Sequence, residues 1–443
     1  MQIRKCFFRF SMLFFLLLLL ITCFLINSCG VSSGIDNVSR EPTDLFSTQT
    51  PAAEPTPTLA ASPSATTIFD LTPTSTPGPL PSASITSTPE IITPEPTDST
   101  ARVIMVGDML MHDGVINSGN SGEGYNFDHL FTNILSDVRS ADIAIVNQEV
   151  IIAGAEYGIS GYPRFNAPLE LADSLVDAGF NVIASASNHT LDKGKDAMLF
   201  SLANWQSKYP DISVVGMHDS SGDSEEITVR DVNGIRFALL NYTYGLNAFG
   251  NTFLQQDPYL VDILEEARVR ADIARAKDIA DITIILVHWG TEYTHTPSQV
   301  QRNWANIFLE CGVDLVLGTH PHVIQPIEWL EREDGHKMLV YWSLGNFVNC
   351  TSGRGTGRGA RMLGAMSDVI FIKDKNGATT IQSAVAHPLI THIDYSQYGI
   401  TTYLFKNYSE ALFADNQART FDSGFSYQYC IDTFRTILGD FLA

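Results

Sequence analysis

The chain has 443 residues, 44% of them hydrophobic, which is enough for one large domain with a sizeable core. Lys and Arg number 27 against 49 Asp and Glu, a net charge of −22. That balance excludes nucleic acid as a partner, because a phosphate backbone requires a basic face. It leaves an anionic substrate open where bound cations reverse the local field.

In chain order, Arg4, Lys5 and Arg9 precede an apolar run from Phe10 to Ile26. A charged stretch followed by an apolar one slightly short of a membrane span reads as a secretion signal. The run ends at Asn27-Ser28-Cys29-Gly30, which is similar to a bacterial lipoprotein lipobox. Residues 1–29 are therefore expected to be a signal peptide ending at a lipidated Cys29, with an uncleaved anchor helix as the alternative. Either one makes the protein extracytoplasmic and anchors it to the bacterial cell membrane. A diacylglyceryl group would contribute about 0.8 kcal/mol per buried methylene.

Residues 30–100 are rich in Pro, Ser and Thr, and residues 41–100 contain no Lys or Arg. Such a segment buries too little apolar area to offset its ordering entropy, so it is predicted to be a disordered tether. At about 3.1 Å per residue in polyproline form it reaches on the order of 200 Å. Cys6 and Cys23 belong to the signal. Cys311, Cys350 and Cys430 are too scattered for a disulfide framework, leave room for one bridge, and lack the CxxC spacing of thiolate zinc sites.

From Ala101 apolar runs of strand length alternate with amphipathic stretches of helix length. The predicted strands are 102–106, 142–146, 181–185, 235–242, 282–287, 313–317, 337–342 and 368–372. The predicted helices are 128–140, 168–178, 195–208, 259–279 and 297–311. Pro168 and Pro297 mark helix starts, and Gly179 and Gly312 lie just past helix ends. This alternation predicts an α/β domain over 101–395 with a largely buried sheet. A helical C-terminal tail packed on it is expected over 396–443, with 430–441 its clearest helix.

Six short polar motifs follow strand-like runs: Gly107-Asp108, Asn147-Gln148-Glu149, Asn188-His189, His288-Trp289-Gly290, Gly318-Thr319-His320-Pro321-His322 and Ser343-Leu344-Gly345-Asn346. Ligands in α/β sheets bind beyond the carboxyl ends of strands. These motifs supply there a set of Asp, Glu, Asn and His able to hold two metal ions. Alternation along an extended chain puts residues two apart on one side, and Pro321 favours the extended form, so His320 and His322 are expected to straddle a metal pair. Each residue has a plainer reading: Asp108 and Asn188 as turn residues, Glu149 as a surface acid, His288 as an interior histidine. Trp289, Tyr293 and Trp342 are candidates either for a polymer groove or for the core. A glycosidase built on Asp108 and Glu149 leaves every His unexplained.

These motifs, with Asn188-His189-Thr190-Leu191-Asp192-Lys193-Gly194 and Gly318 through Pro326 the most specific, resemble the CapA family of bacterial poly-gamma-glutamate capsule proteins. That family sits within the calcineurin-like metallophosphatase superfamily. The likeness runs from about Arg102 to Phe347. It implies a four-layer α/β/β/α sandwich of the metallophosphatase type with a dinuclear site. By position Asp108 would bind the first metal and Glu149 would bridge the two. Asn188, His288 and His320 would hold the second, and His322 would return to the first. The wider superfamily carries a His two residues after the first Asp; Leu110 stands there, and His112 is the candidate substitute.

The resemblance further implies His189 as general acid with Asp192 fixing its tautomer, and Glu292 and Asn346 orienting ligands. The mixed N and O donors suit Mn, Fe or Zn. Two functions follow. One is a metallohydrolase acting on a phosphoester or another bond of an envelope polymer. The other is a non-catalytic subunit that assembles or anchors poly-gamma-glutamate beside capsule-synthesis membrane proteins.

Overall fold

The computed structural model describes residues 98–350, 357–394 and 399–443. The signal, Cys29 and nearly all of the tether expected from the sequence lie outside the described residues. Among the described residues no helix is long and apolar enough to cross a membrane.

The strands are β1 (Ser99–Met109), β2 (Ile143–Asn147), β3 (Val182–Ala184), β4 (Ser213–Val215), β5 (Thr228–Val232), β6 (Ile235–Thr243), β7 (Ile282–His288), β8 (Leu315–Thr319), β9 (Ile327–Glu331), β10 (Lys337–Tyr341), β11 (Asn346–Val348), β12 (Leu363–Lys373), β13 (Thr379–Asp394) and β14 (Gly399–Leu404). The helices are α1 (Asp113–Ser118), α2 (Leu135–Arg139), α3 (Glu170–Ala178), α4 (Lys195–Lys208), α5 (Asn251–Leu254), α6 (Glu266–Ile279), α7 (Gln299–Cys311), α8 (Glu410–Asp415) and α9 (Tyr427–Leu438).

Two sheets form. One runs β14-β13-β12-β1-β2-β3-β4, with β11 also paired to β1; the other runs β5-β6-β7-β8-β10-β9. β1 to β4 are mutually parallel, as are β6, β7, β8 and β10, while β12–β14, β5 and β9 pair antiparallel. Parallel strands are covered on both faces and need apolar residues throughout. The fully buried runs Ile143–Asn147 and Ile282–His288 show this.

Side-chain alternation divides the second sheet. Ile235, Phe237, Leu239, Ile284 and Leu286 join the core shared with the first sheet, and Phe237 meets Phe371 there at 5.1 Å. Ala238, Leu240, Ile285 and Val287 face the other way, onto Val269 and Ile273 of α6 and Phe308 of α7. α3 and α4 cover the first sheet through Leu171, Leu175, Met198 and Trp205. The layers are thus α/β/β/α. Trp289 and Trp342 stack at 5.6 Å in the helix-side core and are fully buried, so they line no groove.

Several sequence expectations shift. The helix predicted over 128–140 divides into a 3-10 turn at Asp128–Leu130 and α2. Asn133 leaves the helix to bridge Tyr403 and to donate from Nδ2 to the Thr401 hydroxyl at 3.1 Å. The helix predicted from Tyr259 starts at Glu266, because Val261 and Ile263 bridge to Met217 and Thr243, and the Glu265 carboxylate caps the first turn of α6. Gly179 and Gly312 do end α3 and α7 in the left-handed conformation, at φ 108° and 80°. Pro297 lies one residue ahead of the Ser298–Gln301 capping box. The tail expected to be helical opens with β14, which pairs with β13, before α8 and α9. No disulfide joins Cys311, Cys350 and Cys430.

Candidate metal centre

The parallel strands of both sheets end at one rim. β1 delivers Asp108, β2 leads to Glu149, β3 leads to Asn188 and His189, β7 ends on His288, and β8 leads to His320 and His322. Two close backbone approaches set this rim. A Cβ on Gly107 would lie 1.9 Å from the Gly345 carbonyl, and one on Gly318 would lie 2.3 Å from the Trp342 carbonyl. The absence of side chains there lets Asp108 N–H donate to Gly345 O at 2.9 Å, which places Asp108 level with Asn346 in the β1–β11 register.

Asp108 and Glu149 are both fully buried. Asp108 accepts from the Asn147 amide at 2.8 Å and from the His320 backbone N–H at 3.2 Å, and its Oδ2 lies 3.0 Å from His322 Nδ1. Glu149 Oε1 has His288 Nε2 at 3.8 Å, His322 Nε2 at 3.7 Å and His189 Nε2 at 4.0 Å around it. Neither Glu149 oxygen has a hydrogen-bond partner, and neither has His320 Nδ1. Asn188 Oδ1 is 3.0 Å from His288 Nε2. The His288, His320 and His322 rings lie close together, at 4.8 and 5.8 Å between successive centroids.

His320 and His322 reach the site by a route the sequence did not show. Their φ values are 94° and 57°, left-handed rather than extended. A non-glycine residue in that region costs on the order of 1–3 kcal/mol, and such conformations concentrate at functional sites. The turn aims both rings inward with the His320 N–H spent on Asp108, which an alternating strand would not do.

Burial pushes the Glu149 carboxyl well above its usual range; His322 opposes this shift and Asp108 adds to it. Burial disfavours a charged His322 as well, but Glu149 and Asp108 hold its pKa up at about 9. Burial and neighbouring imidazoles keep His288 well below its ordinary value and His320 at about 3. The carboxylates draw positive charge onto His322 while His288 and His320 stay neutral, so the pocket attracts a cation and offers it two unprotonated imidazoles. Among the described residues, two groups place their ligand atoms within 4.8 Å of one another: Asp108, Glu149 and His322, and Glu292, His320 and His322. The donor set and the buried oxygens without partners fit divalent cations.

His189 Nδ1 lies 2.6 Å from Asp192 Oδ2, which also accepts from the Phe165 N–H at 2.8 Å. His112 belongs to neither ligand group. It faces a cavity of about 120 Å³ also lined by His189, Glu292, Tyr293, His322, Asn346 and Arg361. Burial, then His322 and His189, hold its pKa down at about 4, and its Nδ1 has no partner. Asn346 brings Oδ1 within 3.1 Å of His322 Nδ1. Sequence reading passed over three contributors: Asn147, which holds Asp108; Thr319, whose hydroxyl lies 3.0 Å from His288 Nδ1; and Asn247, whose amide lies 3.1 Å from His189 Nδ1. Asn147 and Thr319 sit inside the quoted motifs, two residues and one residue ahead of predicted ligands, and that adjacency was the available signal.

A two-sheet α/β fold with acidic and imidazole donors gathered at its strand ends defines a candidate metal-binding protein. Residues 102–351, just over half of the chain, match the bacterial capsule synthesis protein PGA_cap family, and the chain belongs to that family. It is 28% identical over 256 residues to the capsule biosynthesis protein CapA of Bacillus anthracis, covering 55% of this chain and 58% of that one. It is 34% identical over 180 residues to the PGA biosynthesis protein CapA of Bacillus subtilis strain 168, covering 39% and 44%. The chain thus spans about half the length of these curated relatives. Among solved structures, the calcineurin-like phosphoesterase YfkN from Bacillus subtilis superposes with a TM-score of 0.37 at 12% identity, over 66% of this chain and 91% of that one. The NAD nucleotidase NadN of Haemophilus influenzae does so with a TM-score of 0.40 at 11% identity, over 78% and 57%.

Proposed function

We propose that the chain is a surface-anchored hydrolase of capsule biosynthesis that uses two divalent metal ions to cleave a phosphoester or another bond of an envelope polymer such as poly-gamma-glutamate. The observation that carries this reading is Glu149, whose two buried oxygens lack hydrogen bonds while three imidazoles stand within 4.0 Å of Oε1. Asp108, Glu149 and His322 would hold one ion. Glu149, Asn188, His288 and His320 would hold the other, with Glu292 and His112 at the margin. When bound, such a pair neutralises charge at a tetrahedral centre and lowers the pKa of a water molecule.

The chain's own residues supply the remainder. His189 Nδ1–H donates to Asp192, which fixes the ring, and Nε2 faces the site. A proton on Nε2 is then available to a leaving group, and general acid work of this kind contributes about 10²–10⁴-fold. Asn147 and Thr319 orient Asp108 and His288. Family membership alone is also compatible with a subunit that handles polymer without cleaving it, beside membrane proteins of capsule synthesis.

The test is the metal content of purified full chain, paired with turnover of phosphomonoesters, phosphodiesters and poly-gamma-glutamate. About two divalent ions per chain with chelator-sensitive turnover supports the hydrolase. Bound metal without turnover of any of these, or a chain that binds no metal, rejects the hydrolase and leaves the polymer-handling subunit.

A further inference from the structure

In a chain of net charge −22, a cation facing the site needs a reason. Among the described residues lining the cavity beside the metal centre, Arg361 is the one Lys or Arg. Its guanidinium carbon stands 3.5 Å over the Tyr293 ring. A guanidinium stacked on an aromatic ring is held in a fixed plane and keeps its positive charge, which attracts an oxyanion.

Two separate links tie this pair to the ligand turn. The Arg361 carbonyl accepts from Asn346 Nδ2 at 2.9 Å and from Asn349 Nδ2 at 3.2 Å, and the Oδ1 of the same Asn346 is 3.1 Å from His322 Nδ1. The Tyr293 N–H donates to the Pro321 carbonyl at 2.7 Å, between the two ligand histidines, and its ring lies 5.9 Å from His322. Tyr293 is held left-handed at φ 62°, a strained conformation for a bulky residue, while its ring stays half-exposed. Arg358, at the start of the same 3-10 turn, adds a second positive charge near Tyr293. Glu292, also on this wall, is within electrostatic reach of Arg361.

We propose that Arg361, stacked on Tyr293, is an anion-binding subsite that seats a second carboxylate or phosphate of the substrate beside the group held at the metal centre. The proposal rests on the hydrolase reading and narrows its substrate to one carrying at least two anionic groups a few bonds apart. A polymer bearing a carboxylate on every unit meets that requirement, and so does a bisphosphorylated envelope precursor. The rest of the acidic chain repels such a molecule, so the subsite also fixes which end of it enters.

The test measures equilibrium binding to full-length, metal-loaded protein with two probes: γ-linked tetraglutamate and a 1,3-bisphosphorylated propanediol. Each is compared with a control carrying a single anionic group. In Arg361→Gln, affinity for the matching probe with several anionic groups should fall at least tenfold, with the single-anion control, bound metal and melting temperature unchanged. Arg361→Lys should recover part of the loss, and Tyr293→Leu should reproduce a smaller one. The probe that responds identifies the anion as carboxylate or phosphate. If wild type and Arg361→Gln bind both of these probes equally, or if wild type prefers neither over its control, the subsite is rejected while the metal centre stands. Loss of metal in the wild type itself would instead reject the hydrolase reading.

Discussion

The rim of the parallel strands and the cluster at His218 both combine histidine with carboxylates, and they are built in opposite ways. At His218 both ring nitrogens are engaged, Nδ1 at 3.2 Å from Asp223 and Nε2 at 2.8 Å from Asp262, and Arg268 reaches Asp262 at 3.6 Å. Every charge there is answered within the protein. At the rim of the parallel strands, Glu149 keeps both oxygens and His320 keeps Nδ1 without partners, although all three atoms are buried. Burying such atoms costs about 1–3 kcal/mol each when nothing bonds them. The difference is what makes the rim, and not the His218 cluster, the candidate metal site: only the rim leaves buried lone pairs over after the protein's own hydrogen bonds.

The largest effect that sharpens this contrast is expected at the imidazoles. His320→Ala or His288→Ala should remove bound metal and abolish turnover, read by elemental analysis, with the fold retained by circular dichroism. Next is His189→Ala, which should keep its metal and lose about 10²–10⁴-fold in turnover. A loss of metal in that variant would move His189 from proton donor to ligand. Asn147→Ala should weaken metal binding by about 10–100-fold, as removal of a residue that orients a ligand does, because Asp108 would lose the 2.8 Å amide contact that aims it.

The smallest effect is expected at the saturated cluster. His218→Ala should change neither metal content nor turnover and should cost about 1–3 kcal/mol of stability. Burial opposes its charge, but Asp262 and then Asp223 raise its pKa in the folded state. A raised folded pKa gives stabilisation that is complete below the ordinary histidine value and disappears as pH climbs through the folded one. The stability gap between wild type and His218→Ala should therefore narrow with rising pH in denaturant titrations. A gap that widened would show that His218 is held neutral.

Much of this site was legible before any coordinates, because a parallel strand buried on both faces is a run of apolar residues and its end is where polar residues resume. The placement of Asp108, Glu149, Asn188, His288 and the His320–His322 pair just past strand ends was read this way, and the structure brings them to one rim. What escaped depended on contacts distant in sequence. Nothing local shows that His320 and His322 turn left-handed. The turn is held by Asp108, more than two hundred residues earlier, and by Tyr293, whose N–H meets the Pro321 carbonyl. Arg361 lies beyond the last recognised motif; its backbone carbonyl accepts from Asn346 and its guanidinium stacks on Tyr293 at the cavity. β13 went unread because its first half alternates only loosely and Pro388 interrupts it, yet Pro388 falls one residue before β14 begins to pair. The helix expected over 128–140 failed at Asn133 for the same kind of reason, a tertiary bond that outweighed local periodicity.

The central claim concerns where divalent ions bind. A crystal of the full chain grown with Mn²⁺ and measured at the manganese absorption edge tests it directly. Two anomalous peaks are expected to flank the Glu149 carboxylate, one toward Asp108 and His322 and the other toward His288 and His320. Peaks at His218, or none beside Glu149, would contradict it.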